Sequence, residues 1–236
     1  MGLCSKNDGV GIGMRIKVVP GILEKSREEV VKKIAKIKGV ADEVMVDIID
    51  GKFSDNKTIE IEDLIDIDGD IGLGVHLMVN EPIKMIDECV DIGIEVVIGH
   101  IELMKNQKNF VRVVLKREMQ VGLGLDLSTA VDFLEEEILE KVEHILLMAV
   151  PAGFSSQKFD RRVLDKIKIL RKDYRFEGNI WVDGGINENT IEDCVKAGAN
   201  KLSVTSALWK GESAKENLEK LRQLAQQSFS KRSRNH

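Results

Sequence analysis

Residues 180–187 read Ile180-Trp181-Val182-Asp183-Gly184-Gly185-Ile186-Asn187, and the order of residue types in this stretch decides the fold. An apolar run ends in an acid, two glycines and a polar helix start. The helix-forming stretch Glu188 to Ala197 follows and is closed by Gly198. A short continuous apolar run is what a strand buried on both faces requires. Gly184 and Gly185 have no Cβ, so the backbone turns freely and approaches a ligand closely. Asn187 is expected to cap the helix, whose free N–H groups attract phosphate. The unit therefore predicts a strand, a ligand-facing loop and a helix, with Asp183 held at the junction. Asp-Gly-Gly alone is also an ordinary tight turn, so the rest of the chain must give the unit its meaning.

The same strand-then-helix phrase recurs on both sides. Upstream, strand-like runs occupy Ile16 to Pro20, Glu43 to Ile49, Ile71 to Met78, Glu95 to His100, Val121 to Leu127 and His144 to Val150. Downstream, Lys201 to Thr205 is another. Between them, Ser26-Arg27-Glu28-Glu29 is a capping box opening a helix through Ile37. Pro82 stands near the start of a helix that stops at Gly93. Helices are also expected over Asn106 to Glu118, from Thr129 through Glu135-Glu136-Glu137, over Arg161 to Lys172 and over Lys215 to Gln226; Thr58 to Leu64 gives a weak helical signal. Eight such units in one domain predict a closed (β/α)8 TIM barrel. An open doubly wound sheet competes, but no G-x-G-x-x-G follows the first strand.

Composition agrees with one barrel. The chain has 236 residues, 43% hydrophobic and 32% charged. Residues 14–227 are expected to form one domain, with a flexible N-terminal extension over 1–13 and a basic disordered tail over 228–236. A net charge of −5 with no basic face argues against nucleic acid as a partner. No apolar run reaches a membrane span and no signal-peptide core opens the chain, so no membrane partner is expected. The three cysteines (Cys4, Cys89 and Cys194) lack metal-like spacing and fit a reducing, cytoplasmic compartment.

Barrel chemistry gathers at the C-terminal ends of the strands. There the second strand carries Asp47 inside an apolar run, which is costly unless the acid is paired or ligated. Asp50 precedes Gly51 and reads as a turn former. The third strand carries His76, ordinarily a satisfied core residue, but here level with Asp47 and Asp183. Two carboxylates and an imidazole make an acid/base pair or a metal site. The small-residue loop Met148 through Gln157 and the hydroxyl-bearing Thr205-Ser206-Ala207 join Gly184 and Gly185 as a phosphate side.

These residues resemble the ribulose-phosphate 3-epimerase family over nearly everything from Val18 to Leu224. The resemblance rests on Val19-Pro20-Gly21-Ile22-Leu23, Val46 through Phe53, Val75-His76-Leu77-Met78, Met148 through Phe159, Val182-Asp183-Gly184-Gly185 and Thr205-Ser206-Ala207. It implies interconversion of D-ribulose 5-phosphate and D-xylulose 5-phosphate, with Asp47 and Asp183 as the catalytic pair. It also implies a divalent metal (Zn, Mn, Fe or Mg) on Asp47, His76 and Asp183, with His76 also against the substrate. Met78 and Met148 would shield the intermediate, and Gly153, Gly184, Gly185 and Ser206 would hold the phosphate. Family members often form homo-oligomers, and the resemblance allows one here.

The departures bear on metal and substrate. Met45 stands where the family has a fourth, histidine ligand, and a thioether suits hard or borderline divalent ions poorly. Gly21 replaces a serine, Ile49 a methionine, Ser155-Ser156 paired glycines, and Thr205 a glycine. Two other readings follow from these: an epimerase of another ketose phosphate such as allulose 6-phosphate, and a catalytically silent sugar-phosphate-binding barrel. The orotidine-monophosphate decarboxylase pattern Asp-x-Lys-x-x-Asp does not fit Asp47-Ile48-Ile49-Asp50.

Overall fold

Eight parallel strands close on themselves in chain order in the computed structural model, which describes residues 15–67 and 69–233. The strands are β1 (Lys17–Ile22), β2 (Glu43–Ile49), β3 (Gly72–Met78), β4 (Val96–His100), β5 (Gln120–Leu125), β6 (His144–Met148), β7 (Asn179–Asp183) and β8 (Lys201–Val204). The helices are α1 (Arg27–Ile37), α2 (Ile86–Ile92), α3 (Gln107–Lys116), α4 (Glu136–Leu139), α5 (Arg162–Lys172), α6 (Ile191–Ala197) and α7 (Ala214–Ser233). The expected TIM barrel is therefore present. The extension over 1–13, with Cys4, lies outside the described residues.

Strand alternation builds two cores. Val44, Val46 and Ile48 of β2 face outward and join the main core beneath the helices. Met45 faces inward and packs with Val19, Val96, Ile98, Leu146, Met148, Val150 and Trp181 inside the barrel. Asp47 lies two residues beyond Met45 and so shares its inward face, at the C-terminal end of the strand.

A polar network closes the N-terminal mouth. Lys201 Nζ lies 2.8 Å from Glu43 Oε1 and 4.7 Å from the centroid of the Trp181 ring. Trp181 Nε1 donates to His144 Nδ1 at 3.0 Å, and His144 Nε2 lies 2.9 Å from Gln120 Oε1. Burial, then the neighbouring Lys201 charge, push the His144 pKa down to about 4. Neutral His144 thus accepts at Nδ1 and donates from Nε2.

Three expectations need correction. The helix from Thr129 is broken into a 3-10 turn, Val131–Phe133, and the single turn of α4. The Gln107 side chain holds the break, donating to Phe133 O at 2.7 Å and accepting from Glu135 N at 3.2 Å. Asn187 does not cap α6, whose N-cap is Thr190. Asn187 instead accepts from Asn189 N at 2.9 Å, closing a local turn that delays the helix. The last helix continues through Ser233, so the stretch 228–233 is helical rather than disordered. Its inward face is extended by buried Ser228, whose Oγ donates to Leu224 O at 2.9 Å, and by Phe229 against the core.

Candidate active site

The three residues singled out in the sequence meet at the C-terminal mouth. In the strand register Asp47 stands beside His76, and Asp183 ends β7. All three are buried, at 4%, 0% and 6% exposure respectively. Such burial of charge is tolerated only with partners, and His76 supplies them. Its Nδ1 is 2.9 Å from Asp47 Oδ1 and 3.5 Å from Asp183 Oδ2. The Asp47 strand end is held by Thr58, whose Oγ1 donates to Asp47 O and accepts from Ile49 N, each at 2.8 Å. Asp50 is the expected turn former, accepting from Lys52 N, Phe53 N and Asn80 N.

Behind His76 runs a second imidazole that the sequence reading passed over. His76 Nε2 is 2.8 Å from His100 Nε2, and His100 Nδ1 is 2.8 Å from Glu102 Oε2. Glu102 Oε1 accepts from Asp126 N at 2.6 Å. Burial opposes ionisation of Glu102, but its contacts with His100, Thr129 and Asp126 together outweigh that and hold its pKa down at about 2. An ionised carboxylate only accepts, so His100 Nδ1 carries a proton and donates it. Burial lowers the His100 pKa, so this imidazole is neutral and its Nε2 accepts. His76 must then donate from Nε2. The chain of acceptors fixes the His76 tautomer and leaves Nδ1 for the aspartates, the usual service of a partner behind a metal-binding histidine. A His-x-Glu pattern at a strand end was the available sequence signal.

The ionisation states follow from the same contacts. Burial raises the Asp47 pKa to about 6, with Asp183 repelling and His76 partly offsetting it. Burial alone would lower the His76 pKa, but hydrogen bonds and attraction to the two carboxylates raise it to about 9.

A cavity opens above this cluster. Asp47, Asp183, Met78, Met148, Gly153, Gly184, Gly185 and Ser206 all line it, whereas His76 does not. The imidazole stands behind the aspartates with both nitrogens engaged. Gly185 has φ +67°, and a Cβ there would lie 2.7 Å from Phe159 N, so only glycine fits. Leu208 N and Trp209 N both return to Thr205 O, so the chain turns tightly at Ser206 and Ala207. Asn56 Nδ2 donates to Gly153 O at 2.7 Å, tying the loop after β2 to the loop after β6.

Asp47, His76 and Asp183 each offer a ligand atom within 4.8 Å of the others. Two carboxylate oxygens and an imidazole nitrogen fit a divalent ion. Met45 contributes nothing to that set: its Cε and Sδ lie over Gly74, 3.0 and 3.2 Å from where a Cβ would stand.

Fold and cluster together define a (β/α)8 barrel with a buried Asp–His–Asp cluster at its C-terminal mouth. Comparison narrows this further. The barrel superposes on 3-hexulose-6-phosphate synthase with a TM-score of 0.65 at 12% identity, covering 89% of this chain and 99% of that one. Thiamine phosphate pyrophosphorylase from Pyrococcus furiosus gives 0.61 at 16% identity, covering 92% and 98%. These likenesses show the fold. Residues 17–209 match the Ribulose-phosphate 3 epimerase family. The Ribulose-phosphate 3-epimerase of Bacillus subtilis (strain 168) is 32% identical over 201 residues, covering 82% of this chain and 92% of that protein. The protein of that name from Synechocystis sp. is 34% identical over 202 residues, covering 82% and 87%. The chain belongs to the ribulose-phosphate 3-epimerase family, and with it to the isomerases that epimerise carbohydrates.

Proposed function

We propose that this protein interconverts D-ribulose 5-phosphate and D-xylulose 5-phosphate by proton transfer at C3. The observation that carries the reading is the convergence of Asp47 from β2 and Asp183 from β7 on one cavity, bridged by His76. Inverting a carbon needs a base on one face and an acid on the other, hence two carboxyl groups in opposite protonation states. A proton affinity raised towards neutrality equips Asp47 for that exchange. One aspartate takes the C3 proton, and the other returns a proton to the opposite face. The enediolate between these steps is covered by the apolar side chains of Met78 and Met148, which line the cavity. Gly153, Gly184, Gly185 and Ser206 form the end proposed for the phosphate.

Asp47, His76 and Asp183 would hold a divalent ion, which supplies electrostatic stabilisation of the enediolate oxygens. Loss of a proton from His76 Nδ1 frees that atom for the role, while the His100 acceptor keeps the other proton on Nε2. Among the described residues no helix is long and apolar enough to cross a membrane. Cys89 and Cys194 are free and buried, which supports a reducing compartment such as the cytoplasm.

The test is turnover of ribulose 5-phosphate by purified protein, with chelator and then with Mn²⁺, Zn²⁺, Fe²⁺ or Mg²⁺, using Asp47→Asn and Asp183→Asn as controls. The proposal expects turnover that both variants lose. Turnover of allulose 6-phosphate alone would move the assignment to that sugar. Binding of both sugar phosphates without turnover would make the protein a silent barrel.

A further inference from the structure

Ser203 is the residue at this mouth whose chemistry has no internal use. Its side-chain hydroxyl is buried without a hydrogen-bond partner, a state it shares among the described residues with Ser54 alone. Ser203 is 2% exposed and lines the cavity above the aspartates. A buried hydroxyl is normally satisfied, and an unpartnered one in the lining of a cavity marks where a ligand atom belongs. The strand register places Ser203 beside Asp183, at the depth of the acid–base pair. Gly184, Gly185 and Ser206 lie further along their strand ends, towards the loops. A phosphate held there leaves Ser203 level with the carbon chain.

A second hydroxyl lies close by. Thr205, two residues on and so on the same face of the chain, lines the same cavity. Across the seam stands Gly21 of β1. A Cβ at Gly21 would overlap Thr205 Oγ1 and come within 2.9 Å of Ser203 Oγ. Gly21 does not adopt the left-handed backbone that glycine favours, so its missing side chain is a matter of room. The space a side chain would take on β1 is given to two hydroxyls from β8.

We propose that Ser203 and Thr205 form a polyol-reading subsite, hydrogen-bonding hydroxyl or carbonyl oxygens on the carbon chain of the bound sugar phosphate, with Gly21 keeping that place clear. The assignment rests on the sugar-phosphate reading of the cavity and adds the residues that recognise the sugar itself. Ser203 and Thr205 are specificity residues, because neither is positioned as the acid or base.

The test measures binding by calorimetry of two unreactive probes, xylitol 5-phosphate and inorganic phosphate, to the full-length protein. Ser203→Ala and Thr205→Val each remove a hydroxyl with little change of shape. Each is expected to weaken xylitol 5-phosphate by about threefold to tenfold, and Ser203→Ala, level with Asp183, to leave inorganic phosphate unchanged. Gly21→Ala keeps both hydroxyls but invades their space, and is expected to weaken the polyol phosphate in the same selective way. Wild-type affinity for xylitol 5-phosphate in both hydroxyl variants would overturn the proposal and assign the Ser203 hydroxyl to bound solvent. A wild-type protein that binds the polyol phosphate no more tightly than phosphate would overturn it too. Ribulose 5-phosphate turnover is measured separately. If the wild type gives none while Ser203→Ala still loses polyol binding, the epimerase reading fails and the subsite stands.

Discussion

His100→Leu tests whether the acceptor behind His76 governs the site. The wild-type imidazole accepts the His76 Nε2 proton at 2.8 Å in a fully buried setting. Leucine has similar bulk and no acceptor. Whenever His76 Nδ1 is deprotonated to face a divalent ion, its proton must sit on Nε2, and in the variant that N–H is buried without a partner. An unmet buried donor costs about 1–3 kcal/mol. At about 1.4 kcal/mol per factor of ten, that corresponds to roughly 5- to 150-fold weaker Mn²⁺ binding. Losses at partners behind metal ligands run at about 10- to 100-fold, the same range. The metal-free variant avoids the penalty by giving up the His76 Nε2 proton and keeping the one on Nδ1, against Asp47. Manganese titration followed by electron paramagnetic resonance gives the affinity, and ¹⁵N shifts of His76 give the tautomer. Wild-type Mn²⁺ affinity together with an unchanged tautomer would refute the reasoning.

Other consequences are independent of this one. Trp181→Phe removes the donor to His144 Nδ1 and leaves a buried acceptor unmet, so urea unfolding should show a loss of about 1–3 kcal/mol. Gly185→Ala places a Cβ against the Phe159 backbone at φ +67°, so it should lower stability by about 1–3 kcal/mol and raise KM for a sugar phosphate. His76, with its pKa raised to about 9 from the ordinary 6.5 of an imidazole, binds more protons folded than unfolded between those values. Its contribution is therefore complete below pH 6.5 and is lost as pH rises through 9. The metal-free protein should melt at lower temperature at pH 9.5 than at pH 6.5 by more than its His76→Asn variant does, as differential scanning calorimetry would show.

Much of the barrel was legible because its strands are short apolar runs closed by glycine, proline and capping residues. Glu43–Ile49 could be bounded as it folds. The helices were harder where tertiary contacts decide. Gln107 breaks the helix expected from Thr129 through bonds made across a long stretch of sequence. The end of α7 depends on buried Ser228 and on Phe229 packing against the core, which a basic tail disguises. Asp47, His76 and Asp183 stood out because polar residues interrupting apolar strands need a reason. His100 and Glu102 escaped because a histidine ending a strand has an ordinary reading as a core residue. Ser203 gives no local signal, since serine is unremarkable in a strand and its lack of a partner exists only in three dimensions. Met45 was readable as a missing ligand, whereas its place over Gly74 required the barrel.

The central claim is that Asp47 and Asp183 exchange the C3 proton from opposite faces of a ketose phosphate. Its most direct test is to incubate ribulose 5-phosphate with the protein and Mn²⁺ in D₂O and follow C3 by NMR. The account predicts xylulose 5-phosphate carrying solvent deuterium at C3 from the earliest turnovers, with epimerisation lost in both Asp47→Asn and Asp183→Asn. Product that keeps its C3 protium, or either variant epimerising at the wild-type rate, would contradict it.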